Sequence, residues 1–223
     1  NGENVYPMPL SQDHKRAYDN DEGPNTGGMG AYTPLPFVTE EDEAFARKYV
    51  LEAVAKGMCQ EGLPLTGVLY GGLMKTAQGV KVIEFNARFG DPETEVVLPL
   101  LESDAYDVFY GIATGANRQS PIANSPLQWR NEATIGVVLA SKGYPGSYAK
   151  GAVIEGTELF DGPIFHMGTK NDNGVLKTNG GRVMMCIATG KDITTAREKV
   201  YKEIEKIHCD NLFYRKDIAH WAL

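Results

Sequence analysis

Polar side chains recur at every second position in residues 82–88, VIEFNAR. Because side chains on a β-strand alternate between its faces, Glu84, Asn86 and Arg88 are predicted to share one face, and the apolar residues between them the other. The apolar face is predicted to be core, on a strand central to its sheet. A hard cation accepts carboxylate and amide oxygens, and a phosphate pairs with arginine. On its own, however, such a face is more often a structural salt-bridge network than a metal site.

The turn that follows this segment carries two further carboxylates. Residues 89–93 read FGDPE, so Asp91 and Glu93 stand at a predicted helix start. Their ordinary role there is to cap the helix. Carboxylates this dense near Glu84 favour a cation or an amine as the bound group.

A second constellation lies in the polar, glycine-rich residues 11–36, which are predicted to form a long loop. Residues 11–16 read SQDHKR and residues 23–30 read GPNTGGMG. Backbone amides of glycine-rich loops approach phosphates closely, and Lys15 and Arg16 would supply positive charge. The spacing matches neither the P-loop nor the dinucleotide fingerprint. His14 could act as a general base, although a hydrogen-bonded structural histidine is the commoner outcome.

A third constellation combines residues 168–170, GTK, with residues 178–182, TNGGR. Lys170 and Arg182 are predicted to lead two neighbouring strands, where they could clamp a phosphate monoester. The alternative is a pair of solvent-exposed charges on hairpin ends. The sequence has no nucleophile elbow, no recognisable Cys-His spacing and no zinc-protease motif, which disfavours a covalent protein nucleophile. The polar groups suit phosphoryl transfer instead, where catalysis is mostly positioning and charge neutralisation.

The elements that must position these residues follow from hydrophobic period and punctuation. Thr39 is predicted to cap a helix that ends by Gly62, and residues 66–74 and 80–85 are predicted to form a hairpin. Helices are predicted over residues 92–101 and 103–115, and Asp192 is predicted to cap a last helix. A domain boundary is predicted in the loop of residues 116–131. Short strands are predicted beyond it, over residues 134–140, 152–154, 164–167, 175–178 and 182–188.

Composition limits the class of protein. The chain has 223 residues, of which 42% are hydrophobic and 23% charged, with a formal net charge of -7. A general nucleic-acid binder would show a basic excess, so that partner is disfavoured. Cys59, Cys186 and Cys209 form no zinc or disulfide pattern and predict reduced thiols in the cytoplasm. No apolar run is long enough to span a membrane, no secretory signal is recognisable, and the absence of heptads favours a monomer.

Four tracts together resemble the signatures of the phosphoribosylamine–glycine ligase family, also called glycinamide ribonucleotide synthetases. They are SQDHKR at 11–16, GPNTGGMGAY at 23–32, VIEFNARFGDPET at 82–94 and TNGGRV at 178–183. The resemblance extends through residues 214–218, YRKDI, and NARFGDPE is its most specific tract. The family belongs to the ATP-grasp superfamily. The implied fold is α+β: the larger ATP-grasp lobe, an antiparallel sheet with helices, over residues 1–118, and a small β-rich carboxy-terminal domain with a final helix over residues 119–223.

The resemblance implies a reaction and its cofactors. Members of the family join glycine to 5-phosphoribosylamine in purine biosynthesis. ATP phosphorylates the glycine carboxylate, and the amine attacks the resulting glycyl phosphate. Mg²⁺ or Mn²⁺ neutralises the phosphates. The expected partners are therefore small molecules, namely ATP, glycine and 5-phosphoribosylamine.

The resemblance also implies roles for individual residues. Glu84 and Asn86 match the metal ligands, in agreement with the strand-face argument, and Arg16 and Asn25 match positions that contact ATP. Arg88 is expected to steady the transferring phosphoryl group or the acyl phosphate. The remaining roles concern the other substrates. Asp13, Asp91 and Glu93 are expected near amino groups of glycine or phosphoribosylamine, and Lys170 and Arg182 near the ribose phosphate.

The family pattern also includes an amino-terminal α/β domain and a small lobe that clamps adenine, and neither precedes Asn1. The chain thus resembles only the carboxy-terminal portion of such an enzyme. These residues alone are expected to bind metal-nucleotide weakly and not to catalyse ligation. Two alternatives stay open at this point: another ATP-grasp carboxylate–amine ligase with a different acceptor, and a non-catalytic fragment that acts as a binding module.

Overall fold

The computed structural model describes residues 1–114 and 127–223, which divide into two compact units. The first unit comprises Asn1–Met8, Pro36–Gly90 and Leu101–Arg130, and the second comprises Pro9–Leu35, Asp91–Leu100 and Asn131–Leu223. Both units are therefore assembled from segments that are not contiguous in sequence. The predicted boundary between residues 118 and 119 lies outside the described residues, and that division of the chain stays a prediction.

The described residues contain strands and helices with the following bounds. The strands are β1 (Gln12–Asp13), β2 (Arg16–Tyr18), β3 (Glu22–Asn25), β4 (Gly30–Thr33), β5 (Tyr70–Thr76), β6 (Gly79–Asn86), β7 (Ala133–Ser141), β8 (Ile164–His166), β9 (Thr169–Asp172), β10 (Val175–Thr178), β11 (Arg182–Gly190) and β12 (Leu212–Phe213). The α-helices are α1 (Glu40–Phe45), α2 (Glu52–Gln60), α3 (Thr94–Val97), α4 (Ala105–Thr114) and α5 (Ile193–Ile204). A π-helical segment, Ala46–Leu51, joins α1 to α2, and 3-10 turns occur at Asp19–Asp21, Leu98–Leu100, Thr157–Leu159 and His220–Ala222. No helix in the described ranges is long and apolar enough to cross a membrane.

The second unit is built on a six-stranded sheet in the order β1-β4-β7-β11-β8, with β12 paired to β7. Every pair in this sheet is antiparallel. Strands β7 and β11 are nine residues long and almost wholly buried, because their sequences are nearly continuous apolar runs with few polar interruptions. Two shorter ladders, β9 with β10 and β2 with β3, complete the unit.

Helices cover the central strands of this sheet. Helix α5 packs on β7 and β11 through Ala196, Val200 and Ile204, all fully or nearly fully buried. Its first turn is capped by Asp192, whose side chain accepts a hydrogen bond of 2.8 Å from Thr195 N. Helix α3 packs against β4, β7 and β11, with Val96 close to the position that a side chain on Gly136 would occupy. The predicted α+β class is confirmed.

The first unit contains α1, α2, α4 and the hairpin β5–β6. Thr39 caps α1 in a capping box with Asp42, as the sequence predicts. The hairpin closes where Thr76 pairs with Gly79, which confirms the predicted turn. The preceding strand begins at Tyr70 rather than at residue 66.

The prediction of a central strand with a buried apolar face is wrong for residues 82–88. Strand β6 pairs with β5 alone in the part of the chain that the structure describes. Ile83 is 61% exposed and Phe85 is 39% exposed. The reason is that an apolar strand face is buried only as far as another layer covers it. Here α1 contacts β6, but the pairing with β5 shifts register beside Ile83 and the two side chains stay exposed. Strand β6 also ends at Asn86, so Arg88 does not share its pleat with Glu84 and Asn86.

The prediction of an unstructured loop over residues 11–36 is also wrong. Four short strands, β1 to β4, occupy this segment, and two of them extend the main sheet of the second unit. The segment lacks period-2 patterning because its strands are only two to four residues long. The helix predicted over residues 92–101 is shorter, consisting of α3 and a 3-10 turn. Residues 152–154 contribute one isolated bridge, between Val153 and Lys177, rather than a strand.

Two glycine substitutions should change stability in opposite directions. A Cβ atom on Gly30 would lie 2.6 Å from the Gly136 carbonyl oxygen, a backbone atom that cannot yield without disturbing β7. We expect Gly30→Ala to lower the free energy of unfolding of its unit by about 2 kcal/mol or more. Gly57 lies inside α2, and a Cβ atom there would meet no other atom within 4 Å. Gly57→Ala should therefore stabilise its unit by up to about 1 kcal/mol. Denaturant titration of both variants is the measurement, and equal midpoints would contradict it.

Candidate functional site

Two side chains on β6 of the first unit are of the types that bind a hard cation. Glu84 and Asn86 are two positions apart on one strand and so project from the same face. Their cross-strand partners are Gly72 and Tyr70, and the glycine leaves space beside the carboxylate. The Asn86 Nδ2 atom is buried and donates no hydrogen bond within the described residues. A carboxylate and an amide are the donor types that Mg²⁺ and Mn²⁺ accept.

The size of this donor set indicates how a metal would be held. No group of three or more His, Cys, Asp or Glu side chains that could hold a metal ion occurs in the described ranges. Mg²⁺ rarely uses an all-protein cage and is usually bound by one or two carboxylates together with substrate phosphates. Glu84 and Asn86 thus fit a metal that arrives with a nucleotide. Arg88 lies just beyond the strand, and its Nη1 donates to the Phe89 carbonyl oxygen at 2.8 Å.

In the second unit, the structure brings Arg16 and Asn25 together. They are nine positions apart in sequence but are direct partners across the β2–β3 hairpin. The Arg16 Nη1 donates to the Gly23 carbonyl oxygen at 2.7 Å. A backbone hydrogen bond also joins the residues next to this pair, because Thr26 N donates to the Lys15 carbonyl oxygen at 2.7 Å. Both side chains are exposed, which keeps them accessible to a ligand.

A cluster of charged side chains forms the core of the candidate site in the second unit. The Arg182 guanidinium forms a fork on Asp91, with distances of 2.8 and 3.1 Å to its two oxygens, and also donates to the Gly27 carbonyl oxygen at 3.0 Å. The Lys15 ammonium forms an ion pair with Asp13. Electrostatic interactions connect Asp13 and Lys15 to Arg182 and to Glu93, which is only 7% exposed. Asp91 therefore pairs with an arginine instead of capping a helix.

Asp13 is the most unusual member of this cluster. Its side chain is 4% exposed. Apart from the Lys15 ion pair, neither of its oxygens accepts a hydrogen bond from the part of the chain that the structure describes. Burial raises the pKa of Asp13 to about 7, Lys15 opposes that rise, and Glu93 adds to it. A buried carboxylate with spare acceptor capacity is costly unless a donor or cation arrives, which suits an amino group.

The backbone around Asp13 is tightly packed. Gly28 has φ of +118°, and a Cβ atom there would lie 2.6 Å from Asp13 Oδ1 and 2.5 Å from Pro92 Cδ. The position therefore requires glycine for conformational and for steric reasons. This explains part of the glycine-rich tract, which brings the backbone against a carboxylate and a proline.

A cavity of about 520 Å³ opens beside the Asp91–Arg182 pair within the second unit. Its lining includes Glu95, Tyr144, His166 and Gly181. Glu95 Oε2 is buried and accepts no hydrogen bond in the described ranges. Burial raises the pKa of Glu95, and the negative charges of Asp91 and Glu93 raise it further. The cavity is large enough for a small metabolite.

The structure joins the two segments of the third constellation but separates their charged side chains. Gly168 and Gly180 are in backbone contact, and Asn179 N donates to the Gly168 carbonyl oxygen at 2.8 Å. Lys170, however, lies on β9 and pairs with β10, whereas Arg182 begins β11 in the main sheet. Arg182 lines the cavity, and Lys170 is exposed. The two residues therefore do not lead neighbouring strands.

The histidine of the second constellation is structural. His14 is 2% exposed, and its Nε2 accepts a hydrogen bond of 3.0 Å from Ala219 N. Burial lowers the His14 pKa to about 4, and the nearby Arg215 lowers it further. Sequence reasoning named neither Glu95 nor Arg215 as part of a site. Glu95 could have been found because it lies two positions after Glu93. Arg215 lies in the tract of residues 214–218 that resembles the family, but the resemblance assigned it no role.

The raised pKa of Asp13 predicts how stability depends on pH. The folded chain holds this proton more tightly than the unfolded chain does. Its contribution to stability is therefore largest below the unfolded pKa of 3.8 and is lost as pH rises through about 7. The charges of Lys15, Glu93 and Arg182 act on Asp13 and contribute to this pKa. Asp13→Asn does not titrate, so its stability relative to the parent should rise by roughly 2–3 kcal/mol between pH 5 and pH 8.

Denaturant titrations of both proteins across this pH range provide the measurement. Asp161→Asn, which removes an exposed carboxylate from the same unit, serves as the charge-matched control. A stability difference between Asp13→Asn and the parent that does not change with pH would show that the Asp13 pKa is not raised.

Comparisons with family models and with known proteins identify the family of this chain. Two family models match: the ATP-grasp (A) domain of phosphoribosylglycinamide synthetase over residues 1–94, and the C domain of the same synthetase over residues 134–221. A phosphoribosylamine–glycine ligase of Halalkalibacterium halodurans is 50% identical over 224 aligned residues, which cover 100% of this chain. The chain spans only 51% of the length of that relative.

Solved structures extend the comparison to the fold. The crystal structure of phosphoribosylamine–glycine ligase from Thermotoga maritima superposes with a TM-score of 0.86 at 36% identity, covering 98% of this chain and 53% of that one. The biotin carboxylase domain of the 2-oxoglutarate carboxylase of Hydrogenobacter thermophilus, at 14% identity and a TM-score of 0.59, shares the fold over 95% of this chain and 44% of its own. The two family matches together cover most of the chain, and the matched ranges contain Asp13, Glu84, Asn86 and Arg182. The chain therefore belongs to the phosphoribosylglycinamide synthetase family of ATP-grasp proteins.

Proposed function

We propose that this chain is the carboxy-terminal portion of an ATP-dependent phosphoribosylamine–glycine ligase of purine biosynthesis. The observation that carries the proposal is the Glu84–Asn86 pair on one face of β6, because carboxylate and amide oxygens are the donors that a hard cation accepts. It is a two-residue donor set for a metal–nucleotide complex, within the segment that matches the ATP-grasp domain of the family. The family relationship supplies the identity of the carboxylate and the amine.

The reaction consists of two displacements. The γ-phosphoryl group passes from ATP to the glycine carboxylate, giving glycyl phosphate and ADP. The amine nitrogen of 5-phosphoribosylamine then forms a bond to the acyl carbon, inorganic phosphate leaves with the electrons of the broken C–O bond, and the nitrogen loses one proton. Such chemistry depends mainly on positioning and charge neutralisation.

Two pairs of residues and one further arginine are assigned to nucleotide binding. Arg16 and Asn25 contact ATP, and their pairing across one hairpin supports a shared role. Glu84 and Asn86 hold Mg²⁺ or Mn²⁺, which when bound neutralises phosphate charge. Arg88 steadies the transferring phosphoryl group or the acyl phosphate, as an arginine fork does for phosphate oxygens.

The charged cluster of the second unit is assigned to the amino substrates. Asp13, Asp91 and Glu93 act near the amino groups of glycine or phosphoribosylamine. A carboxyl whose pKa is raised to about 7 exchanges a proton near neutral pH, which suits a group beside an amine that must lose one. Lys170 and Arg182 are assigned to the ribose phosphate. Because the Arg182 guanidinium holds Asp91 in this structure, phosphate binding would compete with that ion pair.

The proposal also covers the partners, the location and the oligomeric state of the protein. Its partners are the small molecules ATP, glycine and 5-phosphoribosylamine, with no nucleic-acid or membrane partner. We place it in the cytoplasm as a monomer.

The metal assignment predicts a loss of metal-dependent ATP use. In the full-length ligase, Glu84→Ala and Asn86→Ala should each raise the Mg²⁺ concentration needed for half-maximal activity by roughly tenfold or more, because each removes one of two protein donors. Glu61→Ala, which removes an exposed carboxylate after α2 in the same unit, is the control. Steady-state rates over a Mg²⁺ titration provide the measurement. An unchanged metal requirement in both variants would remove β6 from the site.

The 223 residues by themselves should bind metal-nucleotide weakly and should not ligate. The chain spans only 51% of the length of its H. halodurans relative, and half of a ligase is expected to lack part of the substrate sites. An assay of this chain with ATP, Mg²⁺, glycine and 5-phosphoribosylamine should show no product above background. Turnover near that of the full-length ligase would contradict the prediction, and turnover with a different amine would favour another ATP-grasp ligase.

A further inference from the structure

A buried arginine near the end of the chain connects the carboxy-terminal tail to the β2–β3 hairpin. The Arg215 side chain is 0% exposed. It forms a fork on Asp217, with Nε to Oδ1 and Nη2 to Oδ2 both 2.8 Å, and an ion pair of 2.9 Å with Asp21. Its Nη1 also donates to the Arg16 carbonyl oxygen at 3.1 Å. A charge this deeply buried is tolerated because two carboxylates and a carbonyl satisfy it.

Further hydrogen bonds tie the tail to the turn of the same hairpin. Lys216 N donates to Asp19 Oδ1 at 2.7 Å, and Asn20 N donates to Asp217 Oδ2 at 2.8 Å. The Trp221 indole N–H donates to Asp21 Oδ2 at 3.3 Å. These contacts, together with those of Arg215, form what we call the tail clasp, made by residues 215–221 on residues 16–21.

The turn that the clasp holds has a backbone conformation that costs free energy even for Asn and Asp, the non-glycine residues that adopt it most readily. Asn20 has φ of 59° and Asp21 has φ of 55°, so two consecutive non-glycine residues adopt the left-handed conformation. Such conformations cost of order 1 kcal/mol each and persist where surrounding contacts enforce them. A two-stranded hairpin is at best marginally stable alone, and most of β2 and β3 is exposed. The clasp therefore supplies the restraint that the hairpin lacks.

We propose that Arg215 is a positioning residue for nucleotide binding, acting through the β2–β3 hairpin. The hairpin carries Arg16 and Asn25 as paired residues, and Arg215 holds the carbonyl of Arg16 itself. The inference rests on the proposed function, in which these two side chains contact ATP. It gives the carboxy-terminal tail a role in the nucleotide site, although the tail contributes no ATP contact of its own to the proposal.

The expected effect is confined to one substrate. Arg215→Lys keeps the positive charge but cannot form the planar fork on Asp217 while also reaching Asp21 and Arg16. In the full-length ligase this variant should raise the KM for ATP by about tenfold and leave kcat and the KM for glycine within about twofold of the parent. Amide hydrogen exchange should accelerate in residues 16–26 and 215–221.

Two further variants make the test decisive. Glu203→Gln disturbs another buried carboxylate of the second unit, one that accepts from Asp161 N and pairs with Lys206 away from the hairpin. It should lower the melting temperature without a selective change in the KM for ATP. Asp19→Ala removes a single tail-to-turn hydrogen bond without leaving a buried charge unpaired, so it reports on the clasp even if Arg215→Lys does not fold. It should raise the KM for ATP by about threefold.

The outcomes separate the inference from the proposal beneath it. Arg16→Ala should itself raise the KM for ATP; no change there would refute the ATP role of the hairpin. If Arg16→Ala acts as expected but Asp19→Ala and any folded Arg215→Lys leave the KM for ATP unchanged, the clasp is overturned and the ATP role survives. An equal change in all kinetic constants, matched by Glu203→Gln at the same loss of stability, would also overturn it and leave Arg215 with a purely structural role.

Discussion

The antiparallel pairing of β7 with β11 is the interaction on which the second unit depends. Both strands are apolar over nearly their whole length, and both are buried. Helix α5 packs on this pair, as does α3, and β4, β8 and β12 add to its edges. The charged cluster inherits its geometry from the same pairing, because Asp13 lies on β1, which is joined through β4 to β7, and Arg182 is the first residue of β11. A rigid apolar ladder thus positions charges that come from distant parts of the chain.

The second unit buries charge in two contrasting ways. Arg215 is fully enclosed, yet its donors meet Asp21, Asp217 and a carbonyl oxygen, so the group stabilises the contact between the tail and the hairpin. Asp13 is nearly as buried but has Lys15 as its only ion-pair partner in the described ranges, and its pKa is raised to about 7. A buried charge whose hydrogen-bonding groups all have partners indicates a structural role. A buried carboxylate with spare acceptor capacity indicates a place where a ligand completes the electrostatics.

The first unit presents the opposite balance, with apolar surface exposed and polar groups prepared for a ligand. Ile83 and Phe85 are accessible on β6, while Glu84 and Asn86 occupy its other face. The hairpin still fixes the pair for which we propose metal binding, because backbone pairing with β5 sets which side chains share a face, whether or not the apolar side is covered. Strand register therefore determines which two side chains share a face. Packing determines how firmly the strand is held.

The sequence by itself determined those features that depend on near neighbours. Alternation placed Glu84 and Asn86 on one face, Thr39 and Asp192 were recognised as helix caps, and the motif tracts were enough to indicate the family. Only the tertiary structure decided which distant residues meet: Arg182 with Asp91, Asp13 in a buried pocket against Gly28, and Arg215 beneath the β2–β3 hairpin. It also decided that β6 is not a buried central strand and that β1 and β4, within residues 12–33, join the main sheet. The physical reason is range. Caps, turns and strand faces depend on atoms a few residues apart, whereas burial and ion pairing depend on which segments pack together, and that is settled only when the whole chain folds.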